Sequence, residues 1–436
     1  MSTYWCEQAW LPGGVTGGVL VRTDRGVITS VSIVDSPPLG ARRLPGVVLP
    51  GFANAHSHAF HRALRGRTHG DGGTFWTWRE GMYALAAKLN PENYLRLARA
   101  VYAEMALSGV TAVGEFHYVH HAPGGKPYAD PNAMGEALRQ AAAEAGIRLT
   151  LLDTCYLSAG FGDPLAPEQL RFGDGDAAAW AARVAAMPED SNTRIGAAIH
   201  SVRAVPRDQL ADVVSGAEGR PLHVHLSEQP AENEACQAAH GRTPAELLHE
   251  AGALSPRTTA VHATHLTAGD IALLGGTGTG SCFCPTTEAD LADGIGPARE
   301  LADAGSPISL GSDQHAVNDP ILEARALEHH ERLRTGQRGR FSPAELLQAS
   351  TVDGHRALGW TDAGVIATGN RADLVALRLD SVRTAGCRAD QVLLAATASD
   401  VDSVVSGGEL IVRGGEHIRL GAAGPLLAKA INEVWA

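Results

Sequence analysis

VVLPGFANAHSHAFHRALRG, residues 47–66, runs from an apolar stretch into His56, Ser57 and His58, then into a third histidine, His61, and a helix-like segment. The histidine triplet settles little alone, because 19 histidines in 436 residues produce roughly 0.8 His-x-His triplets by chance. Its setting says more. The run around it, GVVLPGFANAH (46–56), has the nearly continuous apolar character of a strand buried on both faces. Seven similar runs follow: GVTAVGEFH (109–117), IRLTLLDTCY (147–156), TRIGAAIHS (193–201), RPLHVHLSE (220–228), TTAVHATH (258–265), TGTGSCFCP (277–285) and SPISLGSDQH (306–315). Helical patterns separate them, such as PENYLRLARAVYAEMALSG and NAMGEALRQAAAEAG, each closed by a glycine. Thr243-Pro-Ala-Glu246 and Ser342-Pro-Ala-Glu345 each offer an N-cap hydroxyl, a proline for the first helical position and a glutamate that reaches back.

Eight strand–helix alternations over about 260 residues point to a parallel (β/α)8 TIM-type barrel. The chain ends read differently. GGVLVRTDRGVITSVSIV near the start, and GVIATGNRADLVALRLD with VDSVVSGGELIVRGGEHI near the end, are short alternating strands with glycine turns. Neither end holds enough residues for a core of its own. The expected organisation is therefore a barrel over residues 49–363 flanked by one small β-sandwich built from residues 1–48 and 364–436.

A formal charge of −12 argues against nucleic acid or an anionic membrane as a partner. An acidic substrate must then be caught by local positive charge. Six cysteines without framework spacing suit a reducing compartment, no signal peptide is apparent, and no run approaches the ~20 apolar residues of a transmembrane helix. The expected setting is the cytoplasm.

Barrels of this kind carry their chemistry at the C-terminal ends of the strands. Those ends hold His56 and His58, then His117 and Tyr118, His200 and Arg203, His223, His225 and Glu228, His262 and His265, and finally Asp313 and His315. Neutral imidazoles converging with one carboxylate suit a divalent metal. A spacing of two on a strand turns His56 and His58 to the same side, so that both can reach one ion.

Several stretches together resemble the deaminase branch of the amidohydrolase superfamily, and within it the N-formimino-L-glutamate (formimidoylglutamate) deiminase family. They are HSHAFHRAL, FWTWREGMY (75–83), TAVGEFHYVHH (111–121), HSVRAV (200–205), HVHLSEQ (223–229), VHATH (261–265), CPTTEADLADG (284–294) and GSDQH (311–315). The resemblance implies that His56, His58, His225 and Asp313 hold one divalent ion, zinc first and ferrous iron as the alternative, with a position left for water. It further implies that Asp313 takes the water's proton, His262 stabilises the tetrahedral centre and Glu228 delivers a proton to departing ammonia. Tyr118 and His200 would supply hydrogen bonds to a small dicarboxylate, gripped by Arg79 and Arg203, whose guanidinium groups match carboxylates bidentately. A homodimer is expected. One departure stands out: where the family carries glutamine in HSHAFQRA, this chain has His61, a substrate-facing position whose charge depends on pH.

Blander readings compete. Arg79 could serve only to pack its stem among tryptophans. Cys282 and Cys284, with no second pair, read as buried strand packing. His329 and His330 lie in a charged helical pattern and read as a solvated face, His120 and His121 fit either a flank of the site or a loop, and Glu288, after the seventh strand, is a candidate for the pocket lining with no assigned role. Three rival functions remain open. A purine or pyrimidine deaminase would use the same metal set. A dihydropyrimidinase-like hydrolase would want a carboxylated lysine at the end of the fourth strand, where IGAAIHSVRAV has none. A metal-stabilised binding protein would need no Glu228–Asp313 pair.

Overall fold

A computed structural model describes residues 1–68 and 75–436. The chain builds two eight-stranded sheets. The first opens with β1 (Ser2–Leu11), β2 (Gly14–Asp24), β3 (Val27–Ile33) and β4 (Arg42–Pro50). The barrel strands follow: β5 (Phe52–Ser57), β6 (Val110–His117), β7 (Arg148–Cys155), β8 (Thr193–Ile199), β9 (Leu222–Leu226), β10 (Thr258–His262), β11 (Gly280–Phe283) and β12 (Ile308–Leu310). The first sheet is then completed by β13 (Leu374–Leu377), β14 (Val401–Ser406), β15 (Glu409–Arg413) and β16 (Glu416–His417).

All eight expected barrel strands form, pair in chain order and run parallel. The ring closes where the chain beyond β12 meets β5: the amides of Ser312 and Asp313 both donate to the His56 carbonyl at 3.0 Å, and His58 N–H donates to the Asp313 carbonyl at 3.1 Å. Metal-type residues therefore sit on the seam itself. The helices obey their caps. Thr243 and Ser342 form the anticipated capping boxes, and Gly146 ends the helix Ala133–Ala145 in the left-handed conformation at φ 74°.

Both termini join in a single hydrogen-bonded sheet, with β4 of the N-terminal half between β1 and β13. The sheet curls on itself. Tyr4 of β1 donates its hydroxyl to the Gly408 carbonyl between β14 and β15 at 2.9 Å, and Ile28 of β3 bonds the Asn370 carbonyl at 2.8 Å. Tyr4, Val19, Val21, Leu374, Ala376 and Val405 fill the enclosed core.

The run at 46–56 divides between the two sheets at Gly51. A side chain there would come within 2.3 Å of Thr111 Oγ1 and 2.8 Å of Asp373 Cβ, so the crossing needs glycine. The last helix, Ala423–Trp435, differs from the expected division of the chain. It lies on the barrel, not in the sandwich: Trp435 Nε1 donates to the Ala63 carbonyl at 3.0 Å, and Arg96 Nε to Glu433 at 2.8 Å. Its apolar stripe, with Leu427, Ala430 and Val434 buried, needed a partner, and the barrel helix Pro91–Leu107 offers one. No helix among the described residues is long and apolar enough to cross a membrane.

Candidate active site

One pocket of about 580 Å³ opens at the C-terminal ends of the barrel strands, and every residue expected to hold metal, act in catalysis or bind substrate lines it except His56, which lies fully buried behind the wall. His58 and His61 come from the end of β5 and the turn Ala59–Leu64 after it, Arg79 from the helix Phe75–Lys88, and Tyr118 from beyond β6. His200 and Arg203 follow β8, His225 lies in β9 with Glu228 beyond it, His262 ends β10 and Asp313 follows β12.

Four of these side chains form a tight knot. His56 Nε2 and His58 Nε2 each lie 3.3 Å from Asp313 Oδ1, and His225 Nε2 lies 3.2 Å from His56 Nε2. The tautomers of two rings follow from their other nitrogens. His58 Nδ1 faces the Phe116 carbonyl at 2.9 Å, and His225 Nδ1 faces the His200 carbonyl at 2.9 Å. A carbonyl only accepts, so each Nδ1 carries the hydrogen and each Nε2 turns a lone pair inward. Burial pushes both imidazoles well below their usual pKa, which keeps them neutral. Burial opposes charge on Asp313 as well, but the hydrogen bond with His56 and the charge of His262 hold its carboxyl far below the usual range. Inward lone pairs around a buried carboxylate are a donor set for a divalent cation, and His56, His225, His262 and Asp313 bring ligand atoms within 4.8 Å of one another.

His262 adopts φ +68° and Asp313 φ +41°, left-handed backbone that costs about 1–3 kcal/mol at such residues and is held by the surrounding bonds. The strain aims both side chains across the pocket. His262 Nε2 lies 3.9 Å from Asp313 Oδ2 and 3.8 Å from Glu228 Oε1, and its Nδ1 lies 3.4 Å from Glu288 Oε1. Burial works against charge on His262, yet Glu228, Glu288 and Asp313 raise its pKa well above normal. Glu288 is thus the partner that orients His262. Burial also raises the Glu228 carboxyl, with the charge of His262 opposing and that of Asp313 reinforcing the shift.

His61 donates to or accepts from the Tyr118 hydroxyl at 2.9 Å, and burial pushes its pKa down to about 3. The expected pH-dependent charge at this position is therefore corrected: the ring is neutral at physiological pH.

Four histidines expected at strand ends do not reach the pocket. His117 groups with His120 and Asp153 outside it, and Asp153 is already paired with Arg183 at 2.8 Å. His223 lies deeper in the barrel against the Ala357 carbonyl at 2.9 Å, His265 bonds the Asp293 carbonyl at 2.7 Å, and His315 holds Ser57 Oγ at 3.0 Å. His121 bonds Asp174 at 3.0 Å. Cys282 and Cys284 pack in the core as expected. Tyr83, Tyr156 and Phe172 line the pocket and were not singled out from sequence. Tyr83 stands four residues after Arg79 on one helix, and Tyr156 ends the third barrel run; those positions were the available signals.

The sequence matches the family profile described as Amidohydrolase family over residues 47–411. It is 38% identical over 435 residues to a formimidoylglutamate deiminase of Pseudomonas aeruginosa, covering 96% of each chain. It is 33% identical to an 8-oxoguanine deaminase of the same organism, covering 83% of this chain and 81% of the relative. Among solved structures, an amidohydrolase from Brucella melitensis superposes with a TM-score of 0.92 at 31% identity over 100% of both chains.

Proposed function

The chain belongs to the amidohydrolase family, and from that premise we propose that it hydrolyses N-formimino-L-glutamate to N-formyl-L-glutamate and ammonia, a step of histidine degradation. The observation that carries the reading is the placement of Arg203. Its partly buried guanidinium faces the pocket that holds the histidine–aspartate knot and has no ion-pair partner among the described residues, so it awaits an anion. Arg79 adds a second guanidinium in the same wall. Two such groups suit a small dicarboxylate.

Held by His56, His58, His225 and Asp313, a divalent ion, zinc first and ferrous iron second, would lower the pKa of water towards ~7 and act as a Lewis acid. The chain's own groups do the rest. Water adds to the formimino carbon, and the bond from that carbon to the terminal nitrogen breaks. Asp313, ionised and between His56, His58 and His262, accepts the proton of the attacking water. His262, charged and oriented by Glu288, faces the charge that develops at the tetrahedral carbon. Glu228, whose carboxyl holds its proton more tightly than usual, delivers it to the nitrogen that leaves as ammonia. The proposed setting is the cytoplasm, which six free cysteines suit.

The relative that is an 8-oxoguanine deaminase favours a purine as the second reading. Ammonia release on N-formimino-L-glutamate, N-formimino-L-aspartate, guanine and cytosine separates the two. Formiminoglutamate should be turned over most efficiently; a preference for guanine would replace the dicarboxylate with a purine.

A further inference from the structure

Beside His200, whose ring lies 4.4 Å from that of Tyr156, the pocket wall contains a hydrogen-bonded line centred on Gln169. Gln169, 1% exposed, lies in the 3-10 turn Pro167–Phe172. Its Oε1 accepts the Ala166 amide at 2.9 Å, which fixes the end of the side-chain amide that is nitrogen. Nε2 therefore donates both hydrogens, one to the Tyr156 hydroxyl oxygen at 2.8 Å and one to that of Tyr83 at 3.0 Å. Tyr83 also accepts Arg79 Nε–H at 2.7 Å. Both lone pairs of the Tyr83 oxygen are then engaged, and its own proton can only be donated. The Tyr156 oxygen accepts one hydrogen, from Gln169, and burial pushes its pKa up, so it keeps its proton. The Tyr83 oxygen beside it already accepts from Gln169 and Arg79, so a carboxylate in the pocket is the stronger acceptor for that proton. Both phenols line the pocket beside Arg79 and Arg203.

We propose that Tyr83 and Tyr156, aligned by Gln169, donate their O–H groups to a substrate carboxylate lying between Arg79 and Arg203. The inference rests on the dicarboxylate reading above and deepens it. The two guanidiniums supply charge, and the phenols supply direction. A carboxylate accepts through about four lone-pair sites and can satisfy such a wall. The N–H edge of a purine cannot, and would leave buried donors facing donors. Gln169 is a positioning residue here: it touches no substrate, but it occupies one lone pair on each phenol and so favours turning both protons towards the pocket.

The test is calorimetric binding of N-formyl-L-glutamate to metal-loaded protein, alongside N-formyl-L-norvaline and N-formyl-4-aminobutyrate, each of which lacks one carboxylate. Tyr156→Phe should bind the dicarboxylate roughly tenfold to a hundredfold more weakly, the range for losing a hydrogen bond to a charged group. Gln169→Glu should do the same. Its carboxylate fills the same space and still accepts the Ala166 amide, but it draws the phenol protons away from the ligand. For the analogue that lacks the recognised carboxylate, the loss should disappear while metal content stays normal. Equal losses for all three ligands would mean that the line only supports the fold, and unchanged binding in both variants would equally overturn the proposal. If the protein binds these ligands in the expected pattern yet does not deiminate formiminoglutamate, the reaction assignment fails and the carboxylate wall stands. Normal deimination with indifferent tyrosine variants would do the opposite, leaving the reaction in place and removing the wall.

Discussion

Glu228 and Asp313 are two carboxyl groups in one pocket, and their surroundings push their affinities for protons in opposite directions: burial raises the first, while the bond with His56 and the charge of His262 depress the second. Such a divergence separates an acid from a base. Glu228→Gln should therefore keep its metal and lose ~10²–10⁴-fold in turnover, as measured by ammonia release beside metal analysis; near-normal turnover would reduce Glu228 to a packing role. Arg203→Met removes a charge that forms no ion pair with a carboxylate among the described residues. The variant should lose about 2–5 kcal/mol in kcat/KM for formiminoglutamate, the cost of stranding a desolvated charge, with metal content unchanged. A harmless substitution would end the dicarboxylate reading. His61→Gln should alter activity only modestly, because the neutral ring and an amide can both bond the Tyr118 hydroxyl. At this scale the sequence disclosed residue types and the two-residue period better than it disclosed depth. His56 and His58 share a side as their spacing required. His223 and His225 share one too, but His223 lies two residues deeper and meets the Ala357 carbonyl instead of the pocket. His117 and Tyr118 are neighbours that face opposite ways, and a strand apolar on both faces carries no mark of which way is inward.

The strands themselves were legible because burial on both faces makes each a continuous apolar run, and the helix caps because their chemistry is local. The crossing at Gly51 was not. One unbroken run, 46–56, feeds two sheets, and only the close approach of Thr111 and Asp373 shows where it divides. Nor could the line from Arg79 through Gln169 to Tyr156 be read, since its members come from a helix, a 3-10 turn and the residue just after a strand, far apart in sequence. The same crossing holds the pair that joins the two sheets. Arg148, which opens β7, meets Asp373, just before β13, in a buried bidentate bond at 3.0 and 2.5 Å, and Asp373 also accepts the Gly407 amide at 2.8 Å. Asp373→Ala should cost about 3–5 kcal/mol, read as a lower urea midpoint at pH 7, because it leaves Arg148 charged and buried without a partner. Burial opposes charge on Asp373, but Arg148 outweighs it and holds the folded pKa below the usual value. The contribution of this group is therefore complete above the unfolded pKa of about 3.9 and is lost as the pH falls towards the folded one. The variant should lack that part of the acid sensitivity. An unchanged urea midpoint would show that the two sheets are joined elsewhere.

In the whole molecule, the candidate ligands lie far apart in sequence and meet only when the barrel is closed: His56 lies in β5 and His58 just beyond it, His225 belongs to β9, and Asp313 follows β12 across the seam. Folding thus brings two imidazole nitrogens to 3.2 Å around a buried carboxylate, an arrangement that a cation between them relieves. An ion bound there joins the first, fifth and eighth strands of the barrel. Because the unfolded chain has no such site, binding should stabilise the fold by ~2.7 kcal/mol when free metal stands a hundredfold above its dissociation constant. We expect the purified protein to carry about one divalent ion per chain, since the candidate ligand groups in the pocket, one with His56 and His225 and one with His58, share the single carboxylate of Asp313. Exhaustive chelation should abolish ammonia release and lower the thermal midpoint by a few degrees, and added zinc should restore both. His225→Ala should lose the ion together with the activity, and chelation should then leave its midpoint unmoved. Two tightly held ions per chain would point to a different centre. Full activity after chelation would remove metal from the reaction, and the burden of activating water would fall on Asp313 and His262 alone.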